Sequence, residues 1–452
     1  MKIIIAGGGK VGVTLARLLS AEGHDLTMID WNKEVLGACV EQYDVMAVDG
    51  NCASMPVLLQ AGVKGADLLI AVTNADEVNL LCCITAHAIN ETLHTIARIR
   101  NPEYVEQIFK MRHAFGLSLY VNPEKQAAQE IERLMRYPGF LQRDTFAKGR
   151  TEIVEVRVTT DSPLRKLPLS ELHRVVKTRV LVCAVLRQDK ALVPKGSFVL
   201  EEGDRVFITA PAANLTSLLK NLGMLHRRVR SCLLCGGDRI SYYLARFLEK
   251  DGIHVKIIER DPDRCRVLSA SLPNADIIED DCSLQETLDN ERIADFDTVV
   301  TLTGIDEMNM IISLYATSRG VQQVITKIGR PENYQLADSL ELGSTICSRE
   351  LCSNSIVRYV RAMQNQTGAA ISVHAIADGQ AEAVEFLVDS VALHCGEPLR
   401  TLALKPNMLI ASITRGGAVT IPNGESSFQV GDNVVVVCNG RGMLQQFNDI
   451  FA

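Results

Sequence analysis

No apolar run in the sequence approaches the ~18 residues that a membrane-crossing helix needs, which excludes a chain threaded through a bilayer. There is no surplus of positive charge either: 47 Lys and Arg stand against 54 Asp and Glu, leaving a net charge of −7. A general nucleic-acid binder normally carries a basic face, so that class is excluded. The local exception, His226-Arg227-Arg228-Val229-Arg230, reads as a solvated linker. Histidine is scarce and dispersed, nine in all, and none lies in a recognisable pairing with a carboxylate. The chain therefore offers no candidate for the acid/base group that most catalysis requires. The thirteen cysteines are odd in number and lie mostly inside apolar stretches, as Cys82, Cys83, Cys183 and Cys438 do. That is the usage of reduced thiols acting as small buried hydrophobes. Cys232 and Cys235 have a metal-like or redox-like spacing but sit in a strand-like run. Side chains three apart on a strand face opposite ways, and no second Cys or His pair accompanies them, so neither zinc nor thiol chemistry is expected. The opening run Met1–Ala6 is too short for a signal peptide and leads straight into glycines. The expectation is a soluble, cytoplasmic protein without direct membrane insertion.

What the chain does have is a repeat. Leu15-Ala16-Arg17-Leu18-Leu19 returns as Leu244-Ala245-Arg246-Phe247-Leu248, and Pro102-Glu103 as Pro331-Glu332, both at an offset of 229. Thr73, Asp76, Glu77 and Asn79 return 230 residues later as Thr303, Asp306, Glu307 and Asn309. Gly203-Asp204 matches Gly431-Asp432, and Pro194 with Gly196 matches Pro422 with Gly424, at 228. Ordered agreement at a nearly constant offset marks a duplication. Within the first copy, short β-branched runs (Lys2–Ala6, Asp25–Ile29, Val45–Val48, Leu68–Val72, Thr95–Ile99, Leu117–Val121) alternate with helical spacing. The α/β class with a doubly wound, mostly parallel sheet follows. An amphipathic helix over Asn122–Tyr137 stops at Pro138-Gly139. Short strands at Ile153–Val158, Val180–Leu186, Ala191–Val193 and Arg205–Ile208 then form a small β-rich α+β domain. So small a piece buries too little surface alone, so it is expected to dimerise or dock.

The chemistry concentrates at Gly7-Gly8-Gly9-Lys10-Val11-Gly12. Its G-x-G-x-x-G follows a strand, opens a helix and has Asp30 at the end of the second strand, which is the context of a dinucleotide fingerprint. Gly7 permits the turn, Gly9 lets the backbone approach a pyrophosphate, and Gly12 lets helix and strand pack closely. The helix start offers unpaired N–H groups to phosphate. Asp30 suits the ribose hydroxyls and repels a 2′-phosphate, which disfavours NADP but leaves NAD and ATP or ADP open. Asn51, Thr73, Asn74 and Arg98 follow later strands, where open α/β sheets bind ligands. The second loop reads Gly236-Gly237-Asp238-Arg239-Ile240-Ser241, with Glu259 for Asp30, Thr303 for Thr73 and Lys327 for Arg98. Asp238 beside a pyrophosphate is electrostatically unfavourable unless it turns away or Arg239 offsets it, so this site is expected to be weaker or differently selective.

The tandem arrangement, with Ile3–Gly12, Asp30, Val72-Thr73-Asn74-x-Asp76-Glu77-x-Asn79, Arg98–Tyr104 and the turns at Gly203-Asp204 and Gly431-Asp432, resembles the TrkA family of peripheral subunits of bacterial Trk potassium uptake systems. The resemblance spans essentially the whole chain. It implies two Rossmann-like RCK N-terminal domains (1–122 and 230–348), crossover helices (123–145 and 349–366) and two RCK C-terminal domains (146–222 and 367–452). It also implies binding of NAD(H) and of ATP or ADP, a dimeric or tetrameric ring on the cytoplasmic side of the membrane, and control of an integral potassium-translocating partner of the TrkH or TrkG type. The family's contacts fall on Gly7 to Gly12, Asp30, Asn51, Thr73, Asn74 and Arg98 and their second-copy counterparts. A dehydrogenase, or a gate on another ion transporter, are the alternative readings. Hydride transfer needs a positioned proton carrier and a substrate domain for which this chain has no room, so a sensor without catalytic residues is expected.

Overall fold

Residues with β-branched side chains in a continuous buried run favour the centre of a parallel sheet, and Lys2–Ala6 is such a run, with only Lys2 exposed. A computed structural model describes residues 1–452 apart from 113, 138, 189, 225–228, 331–332, 341, 364–369, 441–443 and 445. The basic run at His226-Arg227-Arg228, the stop at Pro138, the repeat Pro331-Glu332 and the boundary near residue 366 lie outside the described residues. The first parallel sheet comprises β1 (Lys2–Ala6), β2 (Asp25–Asp30), β3 (Val45–Asp49), β4 (Leu68–Ala71), β5 (His94–Arg98) and β6 (Leu119–Val121). Helices α1 (Lys10–Ala21), α2 (Lys33–Gln42), α3 (Met55–Gln60), α4 (Asp76–Ile89) and α5 (Pro102–Met111) connect them, and α6 (Pro123–Met135) follows. The strand order β3-β2-β1-β4-β5-β6 reverses direction between β1 and β4, the point at which such sheets open a crevice at their carboxyl edge.

An antiparallel sheet comes next, built from β7 (Gln142–Phe146), β8 (Thr151–Arg157), β9 (Leu181–Arg187), β10 (Lys190–Leu192) and β11 (Arg205–Pro211), with α7 at Leu215–Asn221. Neither β7 nor α7 was expected from the sequence. Strand β7 is polar, and it is held by partners far along the chain. Arg143 forms a buried fork on Glu152 at 2.7–2.9 Å, and Asp144 bonds His374 at 2.8 Å.

The second repeat rebuilds both sheets. Its parallel sheet has β12 (Ser231–Cys235), β13 (His254–Glu259), β14 (Asp276–Glu279), β15 (Thr298–Thr301), β16 (Gln323–Lys327) and β17 (Ser344–Ile346), in the order β14-β13-β12-β15-β16-β17. Its helices are α8 (Arg239–Lys250), α9 (Pro262–Ser271), α10 (Gln285–Asn290), α11 (Asp306–Ser318), α12 (Asn333–Ser339) and α13 (Ser348–Met363). The closing antiparallel sheet has β18 (Ala370–Ile376), β19 (Ala381–Leu387), β20 (Met408–Arg415), β21 (Ala418–Thr420) and β22 (Asn433–Asn439).

The compact units do not follow the repeat. One contains Met1–Gln129 together with Asp238–Phe247 and Cys347–Tyr359, and the other contains the remainder. In the first unit the α13 residue Tyr359 meets His94 of β5 at 3.2 Å, and Tyr243 of α8 accepts from Asn122 at 3.0 Å. In the second, Gln323 of β16 donates to the α6 carbonyl of Leu134 at 3.0 Å. Each parallel sheet thus packs with a helix of the other repeat. The second unit also explains how the small sheets become stable. Phe146, Ile153, Cys183 and Phe207 of the first antiparallel sheet share a core with Ile376, Ala383, Val435 and Val437 of the second. Arg205–Asp378 at 2.8 Å and Asn439 to the Ala191 carbonyl at 2.9 Å lie across the same junction.

Candidate functional site

At the end of β1 the chain must turn sharply into α1, and Gly7 does so at φ +109°, a conformation that costs a residue with a Cβ dearly. A Cβ on Gly7 would also stand 2.8 Å from the Thr73 nitrogen, so the loop lies against the end of β4. At Gly12 a Cβ would come within 1.9 Å of the Gly7 carbonyl oxygen; the third glycine lets the helix close onto the turn. Gly9 is the N-cap of α1, and no side chain satisfies the first helical amides. Those amides lack intrahelical partners and carry the positive end of the helix dipole. Gly9 and Lys10 are exposed beside them, while Val11 is buried. The result is a set of uncapped N–H donors with the exposed Lys10 at their rim.

Asp30, the last residue of β2, faces this loop. Its Oδ2 accepts from Gly8 N at 2.5 Å and its Oδ1 from Asn32 N at 2.8 Å. Each oxygen keeps a lone pair for a further donor. Beside it stands Trp31, 82% exposed and the chain's single tryptophan, which the sequence reading passed over. Asn51 closes its own turn by accepting from Ala53 N at 3.0 Å and is exposed. Gly50 N donates to the Asp30 carbonyl at 3.0 Å, which ties the β3 end to the β2 end.

Thr73, Asn74 and Arg98 belong to a different arrangement. Asn79 is fully buried; its Oδ1 accepts from Thr73 N at 2.8 Å and Thr73 Oγ1 at 2.7 Å, and its Nδ2 donates to the Arg98 carbonyl at 2.8 Å. Asp76 accepts from Arg100 N at 2.8 Å and Asn101 N at 2.7 Å. The Arg100 guanidinium donates to the Asn74 carbonyl. These bonds lock the carboxyl ends of β4 and β5 together. Thr73 therefore borders Gly7 while its hydroxyl is engaged. Burial holds the Arg98 guanidinium below its ordinary pKa, and its charged neighbours are Arg100, Glu124 and Asp76, none of them in the glycine loop. The recurrence of Asp76 and Asn79 as Asp306 and Asn309 was the signal for this lock. Asn309 repeats it, with 2.9 Å to Thr303 N and 3.0 Å to the Lys327 carbonyl.

The second loop keeps the turn and loses the open donors. Gly236 has φ +108°, and Glu259 reproduces both bonds of Asp30, accepting from Gly237 N at 2.7 Å and Asp261 N at 2.9 Å. Arg264 donates through Nε to the Gly237 carbonyl. At the start of α8, Asp238 accepts from Ile240 N at 2.8 Å and Ser241 N at 3.0 Å. Its carboxylate has turned onto the helix amides, the very groups that the first loop leaves open. Arg239 and Arg260, the latter in the place of Trp31, are exposed.

Comparisons with known proteins agree with this architecture. The family model for the TrkA-N domain matches residues 3–123 and 232–348, and that for the TrkA-C domain matches 153–223 and 383–452. The chain is 33% identical to the Trk system potassium uptake protein TrkA of Vibrio alginolyticus, covering 100% of this chain and 98% of the relative. It is 32% identical to a TrkA homolog of Archaeoglobus fulgidus, covering 96% and 97%. Among solved structures, the GsuK channel bound to NAD superposes with a TM-score of 0.61 at 16% identity, over 97% of this chain and 76% of that one. The human SLO3 gating ring superposes at 0.50 and 12% identity, over 98% and 100%. At those identities the structures establish the shared fold alone.

Proposed function

The chain belongs to the TrkA family, and from that premise we propose that it is a regulatory subunit of a potassium uptake system that binds an adenine nucleotide at its first glycine loop. The observation that carries this reading is the uncapped start of α1 facing the Asp30 carboxylate. Phosphates take the open amides with Lys10 beside them, and the ribose hydroxyls donate to Asp30. NAD(H) and ATP or ADP satisfy this arrangement equally; a 2′-phosphate meets the Asp30 charge and is disfavoured. The second loop is closed to phosphate, because Asp238 already supplies an anion to the amides of Ile240 and Ser241.

The subunit senses rather than transforms its ligand. Among the described residues no His–carboxylate pairing lies beside the first loop, and the relatives are named as potassium uptake proteins. No helix among the described residues is long and apolar enough to cross a membrane, so conduction belongs to an integral partner of the TrkH or TrkG type, which this chain gates from the cytoplasmic face as part of a homo-oligomeric ring. A ligand shifts such an assembly only through different affinity for its states. The route outward from the loop begins at the β4–β5 lock: Arg100 holds the Asn74 carbonyl, and its own carbonyl accepts from Tyr243 at 3.3 Å, beside Asn122 at the start of α6.

Calorimetric titration of NAD, NADH, ATP and ADP into the full chain tests the proposal. One adenine nucleotide per chain is the expected result. No binding of any of the four, or turnover of NADH by the purified protein, would sink it.

A further inference from the structure

The two antiparallel sheets share one polar fork and differ in what covers it. In the first, Arg187 at the end of β9 donates to Asp204 through Nε and Nη2 at 2.8 and 2.7 Å, and through Nη2 to the Val199 carbonyl at 2.8 Å. In the second, Arg415 at the end of β20 repeats the fork 228 residues on, with 2.9 and 2.7 Å to Asp432 and 3.0 Å to the Ser427 carbonyl. The first fork is closed over. Glu201 accepts from Nη1 of Arg187 at 3.1 Å, and the Phe198 ring lies 4.6 Å from the guanidinium carbon. Their counterparts in the second sheet are Gln429 and Ser426. Phe428 does not take over the role of the Phe198 ring: it is fully buried and packs on Phe447 at 5.0 Å. The Arg415 side chain is accordingly 48% exposed against 24% for Arg187. Among the described residues its Nη1 meets no acceptor.

A cavity of about 380 Å³ stands over Arg415, lined also by Ile413, Ala418, Thr420, Ser426 and Ser427. At the last four of these positions the first sheet carries the larger Lys190, Leu192, Phe198 and Val199. The space therefore comes from side chains shortened at four places on one surface, two of them exchanging an aliphatic group for a hydroxyl. We propose that this cavity binds a small carboxylate that bears a flat apolar group. The first sheet supplies the template from its own chain: a carboxylate on Nη1 and a ring against the guanidinium face. A ligand brings both in one molecule. Its carboxylate accepts from the Nη1 N–H groups of Arg415, a charge-assisted contact. Its ring takes the cation–π position, with Ile413 and Ala418 as the apolar wall.

The hydroxyls of Thr420 and Ser427 are engaged by no other group among the described residues and add two donors to the lining. Ser426 acts through its size, since Asn423 already holds its hydroxyl at 3.0 and 3.2 Å. Charge selects a monoanion. Asp432 already balances Arg415, so one further carboxylate reproduces the set of one cation and two acids that Arg187 forms with Asp204 and Glu201. A phosphate dianion exceeds it. Glu425, the acid next to Ser426, is paired with Arg400 at 3.2 Å.

The probe is benzoate, titrated into the full chain and followed by ligand-observed saturation-transfer NMR, with benzamide and inorganic phosphate in parallel. Benzoate is expected to bind saturably and the other two are not: benzamide keeps the ring without the charge, and phosphate the charge without the ring. Gln429→Glu restores the carboxylate that Glu201 supplies in the first sheet, and is expected to weaken benzoate by about tenfold or more, the worth of a hydrogen bond to a charged group. Adding Ser426→Phe to it restores the ring as well and should abolish binding. No benzoate binding by the wild type, benzamide or phosphate bound as tightly as benzoate, or an affinity unchanged by Gln429→Glu would overturn the proposal. Arg415 and the first glycine loop belong to different compact units, and benzoate carries no adenosine, so this outcome is separate from that of the nucleotide titration.

Discussion

At the scale of single residues, one carboxylate facing the start of α1 and one at the start of the related α8 have opposite effects. In the proposed site Asp30 offers its remaining lone pairs to the ligand, and hydrogen bonds to a charged group contribute about 1.5–3 kcal/mol. Asp30→Ala is therefore expected to weaken nucleotide binding by roughly 10- to 100-fold, read by calorimetry on the full chain; unchanged affinity would remove this residue from the site. Asp238 does the reverse, occupying its own helix amides at 2.8 and 3.0 Å. Asp238→Gly is expected to open the second loop and raise the ligand count from one to two per chain. The variant loses an N-cap worth about 0.5–2 kcal/mol, so its melting temperature should fall modestly. A stoichiometry that stays at one would mean that more than this carboxylate closes the loop. The turn at Gly7, the close packing at Gly12 and the place of Asp30 against the loop were legible in the sequence because local geometry fixes them. The role of Asp238 was not: its residue type announced a conflict with phosphate, but only the helix start reveals that its carboxylate turns onto the helix amides.

At the scale of elements, the strands and helices of the parallel sheets follow from periodicity, and the strand order from the rules that govern crossover connections. Strand β7 escaped because its polar residues are matched by groups on other segments, chiefly Arg143 with Glu152 and Asp144 with His374. Arg143 and Glu152 are both nearly inaccessible. Removing one member of a buried pair leaves an uncompensated charge, at a cost of about 3–5 kcal/mol. Arg143→Ala should lower stability by that amount in denaturant unfolding followed by circular dichroism, and a loss under about 1 kcal/mol would contradict the pairing. The β4–β5 lock behaves similarly on a smaller scale. Asn79→Ala strands the Arg98 carbonyl and the Thr73 amide, each buried group costing about 1–3 kcal/mol. Stability and nucleotide affinity should fall together, because Thr73 borders Gly7.

At the scale of the whole molecule, the duplication was readable but the exchange of helices was not, since no local pattern states which sheet a helix will cover. The shared core of the two antiparallel sheets makes each half dependent on the other: a chain ending near residue 224 would expose Phe146, Cys183 and Phe207. Such a half is expected to aggregate or self-associate, which size-exclusion chromatography would detect. The same unit carries a titrating group. Burial raises the Glu130 carboxyl to about 7, against the pull of Arg133. The folded chain therefore retains a proton that the unfolded chain releases near pH 4.3, so this residue's contribution to stability declines from about pH 4 to pH 7 and is level above. Glu130→Gln lacks that decline. It should gain on wild type as pH rises, by on the order of 2 kcal/mol at pH 8, in parallel thermal melts at pH 5 and pH 8.

The carboxylate at the start of α8 behaves as a tethered stand-in for a phosphate, present at a concentration that metabolism cannot change. On the proposed reading one repeat answers to a nucleotide, while the other holds at its own helix start the condition that a bound anion would create. A duplicated chain can maintain that difference in every copy it makes, because the two loops are encoded separately; an assembly of identical single-repeat chains has no such freedom.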